Sequence, residues 1–431
     1  MQTRFTAAQL ADPRIAEANG ILRKCVRCGF CTATCPTYVL RGDERDSPRG
    51  RIYLIKNMIE TGEPATAETV THIDRCLSCL ACVTTCPSGV DYMHLIDEAR
   101  AHVEETYRRP VADRILRFLL ATVLPRPALF RLALGGARFA SFLRPLLTGL
   151  GARRLSALLD LAPRRKPPSG LPGGPGTYAA LGARKGRLAL LQGCVQGVLD
   201  PRINAATIRL LTRLGYEVTV SGEESCCGAL THHMGRMTDA RARARGSVEQ
   251  WTRAGVDWVI VTASGCGTTV KDYGHMLKND PAFAQKARDI SSRTRDITEF
   301  LASLELPEGK GDMRLAYHSA CSLQHGQNIR GEPIALLRQA GFTVQEVPEG
   351  HLCCGSAGTY NMLQPDLARQ LRERKVAAIE SVAPEAIAAG NLGCITQIGL
   401  GTKLPILHTV EFLDWAYGGP RPERISGDAH K

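Results

Sequence analysis

Aromatic side chains are scarce in this chain of 431 residues, at 5%, and no apolar stretch is long. The two longest runs, Phe118 to Pro125 and Pro145 to Ala152, have eight residues each between arginines, well short of the roughly 20 that a membrane-spanning helix needs. Met1 to Gly20 lacks the apolar core of a signal peptide, so export is not expected and a reducing, cytoplasmic compartment is. There is no nucleotide-binding fingerprint, because the glycine-rich Gly170 to Gly176 neither follows a strand pattern nor opens a helix pattern. Hydride chemistry is therefore expected on another chain, and no catalytic residue is expected here. With 44% apolar and 22% charged residues the composition is globular, and the length suits about three domains of roughly 150 residues.

What the chain has in plenty is cysteine, 16 in all. Cys25, Cys28, Cys31 and Cys35 are spaced C-x2-C-x2-C-x3-C-P, and Cys76, Cys79, Cys82 and Cys86 repeat that spacing 51 residues later. This is the bacterial ferredoxin run, in which three closely spaced thiolates hold one cubane and the fourth, before proline, ligates the other. The expected sets are Cys25, Cys28, Cys31 and Cys86 for one [4Fe-4S] cluster, and Cys76, Cys79, Cys82 and Cys35 for the second. Paired zinc knuckles would explain a C-x2-C pair, but not a doubled eight-cysteine pattern with both prolines in register. Between the runs, Ser47 to Arg51 reads as a basic turn opening an amphipathic helix, with Arg49 and Arg51 expected in solvent rather than against the clusters.

The other eight cysteines form an internal repeat. Cys194, Cys226, Cys227 and Cys266 recur as Cys321, Cys353, Cys354 and Cys394, offset by 127, 127, 127 and 128 residues. Each copy reads C-x31-C-C-G with a later Gly-Cys. Apolar runs precede the cysteines in both copies, at Arg187, Tyr216 and Trp258 and again at Met313, Phe342 and Ala386, with helical patterns between them. Strand–helix–strand alternation predicts parallel sheets whose carboxyl ends bring the four thiols of each copy together. Adjacent cysteines do not bridge easily, since linked Cα atoms lie about 3.8 Å apart and disulfides usually need at least about 4.4 Å. They can share a metal centre, with Gly228 and Gly355 allowing close backbone approach. Use of the thiols as small hydrophobes would not explain the matched distant cysteines.

Residues 101–170 hold 13 Lys/Arg against 4 Asp/Glu, a net +9 within a formal +12 for the chain. From Ala112 to Pro167, Leu/Phe patches alternate with single arginines at helical spacing, broken at Pro125, Pro127 and Pro145. Such helices suit an anionic membrane surface, a partner subunit, or the chain's own core. Nucleic acid is not an expected partner. Pro163 to Gly176 reads as a linker. The expected architecture is α+β and multidomain: a helical two-cluster domain over 1–109, a basic helical region and linker over 110–176, and α/β cysteine modules over 177–311 and 312–431.

Ile21 to Tyr38, Asp46 to Lys56 and Cys82 to Val90 resemble the iron–sulfur subunits of bacterial glycolate oxidases, and the likeness covers nearly the whole chain. The Cys-Cys-Gly modules are similar to those of heterodisulfide reductase and of the iron–sulfur subunit of anaerobic glycerol-3-phosphate dehydrogenase. The resemblance implies an electron-transfer subunit. FAD-binding partner subunits would oxidise glycolate to glyoxylate, and the electrons would leave toward membrane quinone, with peripheral contact at the inner membrane through residues 112–167. The alternatives are a related lactate or glycerol-3-phosphate complex, or a thiol/disulfide enzyme. One departure is visible. In heterodisulfide reductase each module ends in C-x-x-C and five cysteines hold a non-cubane cluster, whereas here Cys266 and Cys394 are followed at that position by Thr269 and Gln397. Four cysteines suit a cubane, giving one or two further clusters. The other options are a ligand from His233, His318 or His351, or an empty second module.

Overall fold

A computed structural model describes residues 1–140, 142, 153–162, 170–223 and 226–425. Pro145 and residues 163–169 of the expected linker lie outside the described residues. The first 106 residues are helical, and side-chain caps set where the helices start. Asp12, Ser47, Thr66 and Asp91 each accept a backbone N–H at the first turn of Pro13–Lys24, Pro48–Thr61, Ala67–Asp74 and Tyr92–Thr106, the usual use of such residues. Leu22, Ile55, Ile73, Leu95 and Ile96 are fully buried where these helices meet. Gly50 is required there, because a Cβ would come within 2.0 Å of the Glu44 carbonyl.

The two modules are parallel sheets. In the first, β1 (Gly176–Tyr178), β2 (Gly186–Leu190), β3 (Tyr216–Val220), β4 (Trp258–Val261) and β5 (Thr294–Asp296) lie in the order β1-β3-β2-β4-β5, with only β1 antiparallel. In the second, β6 (Arg314–His318), β7 (Thr343–Glu346), β8 (Ala386–Ala389) and β9 (Ile406–His408) lie in the order β7-β6-β8-β9. The central strands read as continuous apolar runs because helices cover both faces, and Ala386, Ile387, Ala388 and Ala389 are all buried. Register gives the equivalence of the copies. Leu188 pairs with Trp258 in the first sheet and Leu315 with Ala386 in the second, so Leu188 corresponds to Leu315. The modules share one apolar core that runs from Leu188 and Ile208 to Ile387 and Phe412. Asp414 of the second takes Arg209 and Arg213 of the first at this seam.

The basic segment forms three helices among the described residues, Val111–Val123, Pro127–Ala140 and Arg153–Leu161. Pro127 opens the second, as its fixed φ favours at a first turn. Their inner face packs Leu120, Leu124 and Phe130 against Val198, Met234, Met362 and Leu363 of the modules. Their outer face leaves Phe118, Leu132 and Phe139 exposed, at 58%, 74% and 83%. The segment therefore covers the chain's own core on one side and keeps an apolar surface on the other.

Candidate metal centres

The two N-terminal cysteine runs repeat a backbone as well as a spacing. Arg27 and Ser78, each between the first and second cysteine, have φ of 60° and 50°; Gly29 and Leu80, each after the second, have φ of 88° and 62°. A non-glycine residue in this region costs roughly 1–3 kcal/mol, so the surroundings hold Arg27, Ser78 and Leu80 there. Alternation of this kind turns successive N–H groups toward one point, a concavity suited to an anion. Cys25, Cys28, Cys31 and Cys86 line one cavity, together with Cys82. Cys35, Cys76, Cys79 and Cys82 line another. Each proline-linked cysteine thus stands with the other run's triplet.

The two cavities differ in exposure. Cys28 is exposed and Cys31 and Cys86 half-buried, whereas Cys35, Cys76, Cys79 and Cys82 are all buried. Beside the second set, Arg51 is 1% exposed. Its Nη1 is 3.7 Å from Cys35 Sγ, its Nη2 donates to Thr37 Oγ1 at 2.9 Å, and its Nε donates to the His72 carbonyl at 2.7 Å. This corrects the expectation of a solvated Arg51; Arg49 pairs with Glu44 at the surface, but it too lines the cavity of the first cysteine set. The reason is Asp46, fully buried and bound by Arg41, Arg75 and His72, which draws the guanidinium inward. Tyr92 Oη lies 3.7 Å from Cys76 Sγ, and Arg100 donates to the Cys76 carbonyl at 2.6 Å.

In the modules, Cys194 and Cys321 follow β2 and β6, the Cys-Cys pairs follow β3 and β7, and Cys266 and Cys394 stand in the first turn of helices after β4 and β8. These positions lie beyond the carboxyl ends of the strands, next to the point where strand order reverses, where open α/β sheets place ligands. All eight cysteines line a single cavity of about 270 Å³, roofed by Leu124, Phe130, Leu158 and Leu161 of the basic helices. Cys321 and Cys353 Sγ are 3.7 Å apart, and no cysteine is in a disulfide. The second module also abuts the N-terminal domain, since Cys79, Leu77 and Ala81 pack with Cys353 and Tyr360, and Cys321 lies at the edge of that cluster.

The three histidines raised by the sequence separate. His351 is exposed. His233 lines the shared cavity but faces Asp97, Nδ1 to Oδ1 at 3.9 Å. His318 ends β6 at 1% exposure, and its nearest metal-binding groups are Cys354 and Cys394, all three ligand atoms within 4.8 Å of one another. Lys375, also buried, donates to the Glu349 carbonyl at 2.7 Å, and its charge is felt by Cys354, Cys353 and Cys394. Sequence reasoning missed Lys375, because a lysine that follows the charged run Arg372-Glu373-Arg374 reads as part of a solvated helix face.

These residues fit iron–sulfur clusters. Burial pushes the thiols of Cys79 and Cys82 far up, and Cys31 up to about 11. Cys194 and Cys266 are pushed up by hydrogen bonds with Cys226 and Cys227, and then by burial. Thiols so crowded ionise together only when a cation compensates them, and clustered thiolates are the donor set that soft metal centres take. Arg51 and Lys375 have the sign that an anionic cluster requires nearby.

Comparison with known proteins agrees with this chemistry. The 4Fe-4S dicluster domain family matches residues 24–90, and the cysteine-rich domain family matches 188–271 and 315–399. The chain is 45% identical to the glycolate oxidase iron-sulfur subunit of Escherichia coli strain K12, over 96% of this chain and 99% of that one. It is 30% identical to the probable glycolate oxidase iron-sulfur subunit of Bacillus subtilis strain 168, over 89% and 90%. Lactate utilization protein A of Bacillus licheniformis is 27% identical over 53% of this chain. A crystal structure of a hypothetical protein from Helicobacter pylori shares the fold, with a TM-score of 0.57 over 97% of this chain and 75% of that one, at 10% identity.

Proposed function

Because the chain belongs to the family of glycolate oxidase iron-sulfur subunits, we propose that it is the electron relay of a complex whose FAD-binding subunits oxidise glycolate to glyoxylate. Bound iron–sulfur clusters supply one-electron chemistry. Cys25, Cys28, Cys31 and Cys86 hold the cluster nearest the surface, and Cys76, Cys79, Cys82 and Cys35 hold the buried one. Cys194, Cys226, Cys227 and Cys266, and Cys321, Cys353, Cys354 and Cys394, hold further clusters in the modules.

The observation that carries this reading is the packing of Cys79 against Cys353 and Cys321, which lays three cysteine sets end to end from an exposed to a buried position. Cys28 stands at the solvent end, where a flavoprotein partner can dock. Burial of Arg51 beside Cys35 offsets negative charge on the inner set. The acceptor is a membrane quinone, and the exposed Phe118, Leu132 and Phe139 with the exposed Arg114 and Arg131 support contact of the basic helices with an anionic lipid surface. Among the described residues no helix is long and apolar enough to cross a membrane.

Anaerobic purification with iron and sulfide counting tests the assignment. Two cubanes give about eight irons, and a higher count that falls in Cys354→Ser is expected. A colourless, zinc-loaded protein would end the proposal.

A further inference from the structure

We propose that His318 is a metal ligand in the second module, bound to the same centre as Cys354 and Cys394. This rests on the reading that the second module holds an iron–sulfur centre, and goes beyond it by adding a nitrogen donor to the four thiols.

Three observations carry the inference. First, His318 is 1% exposed, and neither Nδ1 nor Nε2 has a hydrogen-bond partner among the described residues. Buried polar side chains are nearly always satisfied, so a wholly unpaired imidazole points to a partner of another kind. Second, a ring nitrogen, Cys354 Sγ and Cys394 Sγ lie within 4.8 Å of one another, and Asn391 Nδ2 donates to Cys394 Sγ at 3.4 Å. Third, the fold does not need a histidine here. By strand register His318 corresponds to Leu191 of the first module, itself buried at 3%, so the same strand end packs with a plain apolar side chain. An imidazole with thiolates is a donor set that iron accepts, and histidine in place of thiolate on an iron raises a cluster's reduction potential. The second module then offers five donors and the first offers four.

The test uses the full chain, purified anaerobically with either ¹⁴N- or ¹⁵N-histidine, and pulsed EPR of the signal that disappears in Cys354→Ser. A nitrogen coupling of the strength of directly bound imidazole is expected, changing with the isotope and lost in His318→Leu. That variant mimics the first module, so it should fold, as circular dichroism checks. Redox titration of His318→Leu should show a lowered midpoint for the second-module centre, with the other centres unmoved. If iron exceeds the roughly eight of two cubanes but the coupling is absent, or the His318→Leu midpoint is unchanged, His318 is no ligand and the cluster reading survives. If iron stops near eight in the unaltered chain, the cluster reading falls and takes this proposal with it.

Discussion

The two cysteine modules have the same strand scaffold and the same four thiols, yet they differ in the charge and donors around them. Gly228 packs against the Ala240 carbonyl and Gly355 against the Ala368 carbonyl, which sets the following helices in register at an offset of 128 residues. Lys375 of the second module therefore stands where the first has Ser247, and His318 stands where it has Leu191. The second module gains a buried lysine and an imidazole at its thiols, where the first has a serine and a leucine. They are also attached differently. The second meets the N-terminal domain through apolar packing at Cys79, Leu77 and Tyr360. The first meets it through ion pairs, His94 to Asp272 at 3.0 Å and Lys278 to Glu17 at 2.6 Å. A repeat that duplicates thiols thus leaves their surroundings and attachment to side chains outside the motif.

The largest expected effect breaks that comparison outright. Cys354→Ser should reduce glycolate-dependent acceptor reduction by the assembled complex to background, because the second module is the one in contact with Cys79. Cys227→Ser in the first module should leave a measurable rate. Equal losses would show that contact with Cys79 does not order the path. Next in size is Arg51→Met, which leaves Cys35 and Asp46 without their buried guanidinium. Removing one partner of a buried charge network costs roughly 3–5 kcal/mol, so a clear drop in the thermal midpoint is expected. The potential of the buried N-terminal cluster should fall with it. Lys375→Met should be milder, since the hydrogen-bond partner that Lys375 loses is a backbone carbonyl, that of Glu349, rather than a buried carboxylate. It should lower the second-module midpoint, and Ser247→Lys should raise that of the first if the lysine is what distinguishes them.

The cysteine spacings were legible in the sequence because cluster ligation is local, and a C-x2-C-x2-C-x3-C-P run carries its own geometry. The parallel sheets were legible too: Arg187, Tyr216 and Trp258 each open or adjoin an apolar run that forms β2, β3 or β4. The short strands β1, β5 and β9 were not, as three residues carry too little periodicity. The burial of Arg51 could not be read either, because it depends on Asp46 and His72 meeting it from other elements. Nor could the different surroundings of His233, His318 and His351, which register and packing set. The single cavity shared by both modules follows from the seam at Asp414 and from the helical roof, and neither has a sequence signature.

The smallest expected effect sharpens the difference in attachment. His94 lies between Asp91 and Asp272, with Nδ1 to Asp91 at 2.5 Å and Nε2 to Asp272 at 3.0 Å, and stacks on His275 at 3.6 Å. Burial alone would lower its pKa, but the hydrogen bonds to Asp272 and Asp91 prevail and hold it up to about 10. A group raised in the folded state above its ordinary value near 6.5 contributes stability that is complete below that value. The contribution is lost as pH rises through about 10. The contact between the first module and the N-terminal domain should therefore loosen between neutral pH and pH 10 by roughly 1 kcal/mol, the scale of a partly exposed ion pair, while the apolar contact of the second module holds. Hydrogen exchange over the Ser264–Lys271 and Tyr273–Met276 helices, compared with the Pro365–Glu380 helix, reads the two attachments separately. His94→Gln should weaken the first contact at neutral pH and flatten its pH dependence, and an equal response in both modules would mean that charge does not distinguish their attachment.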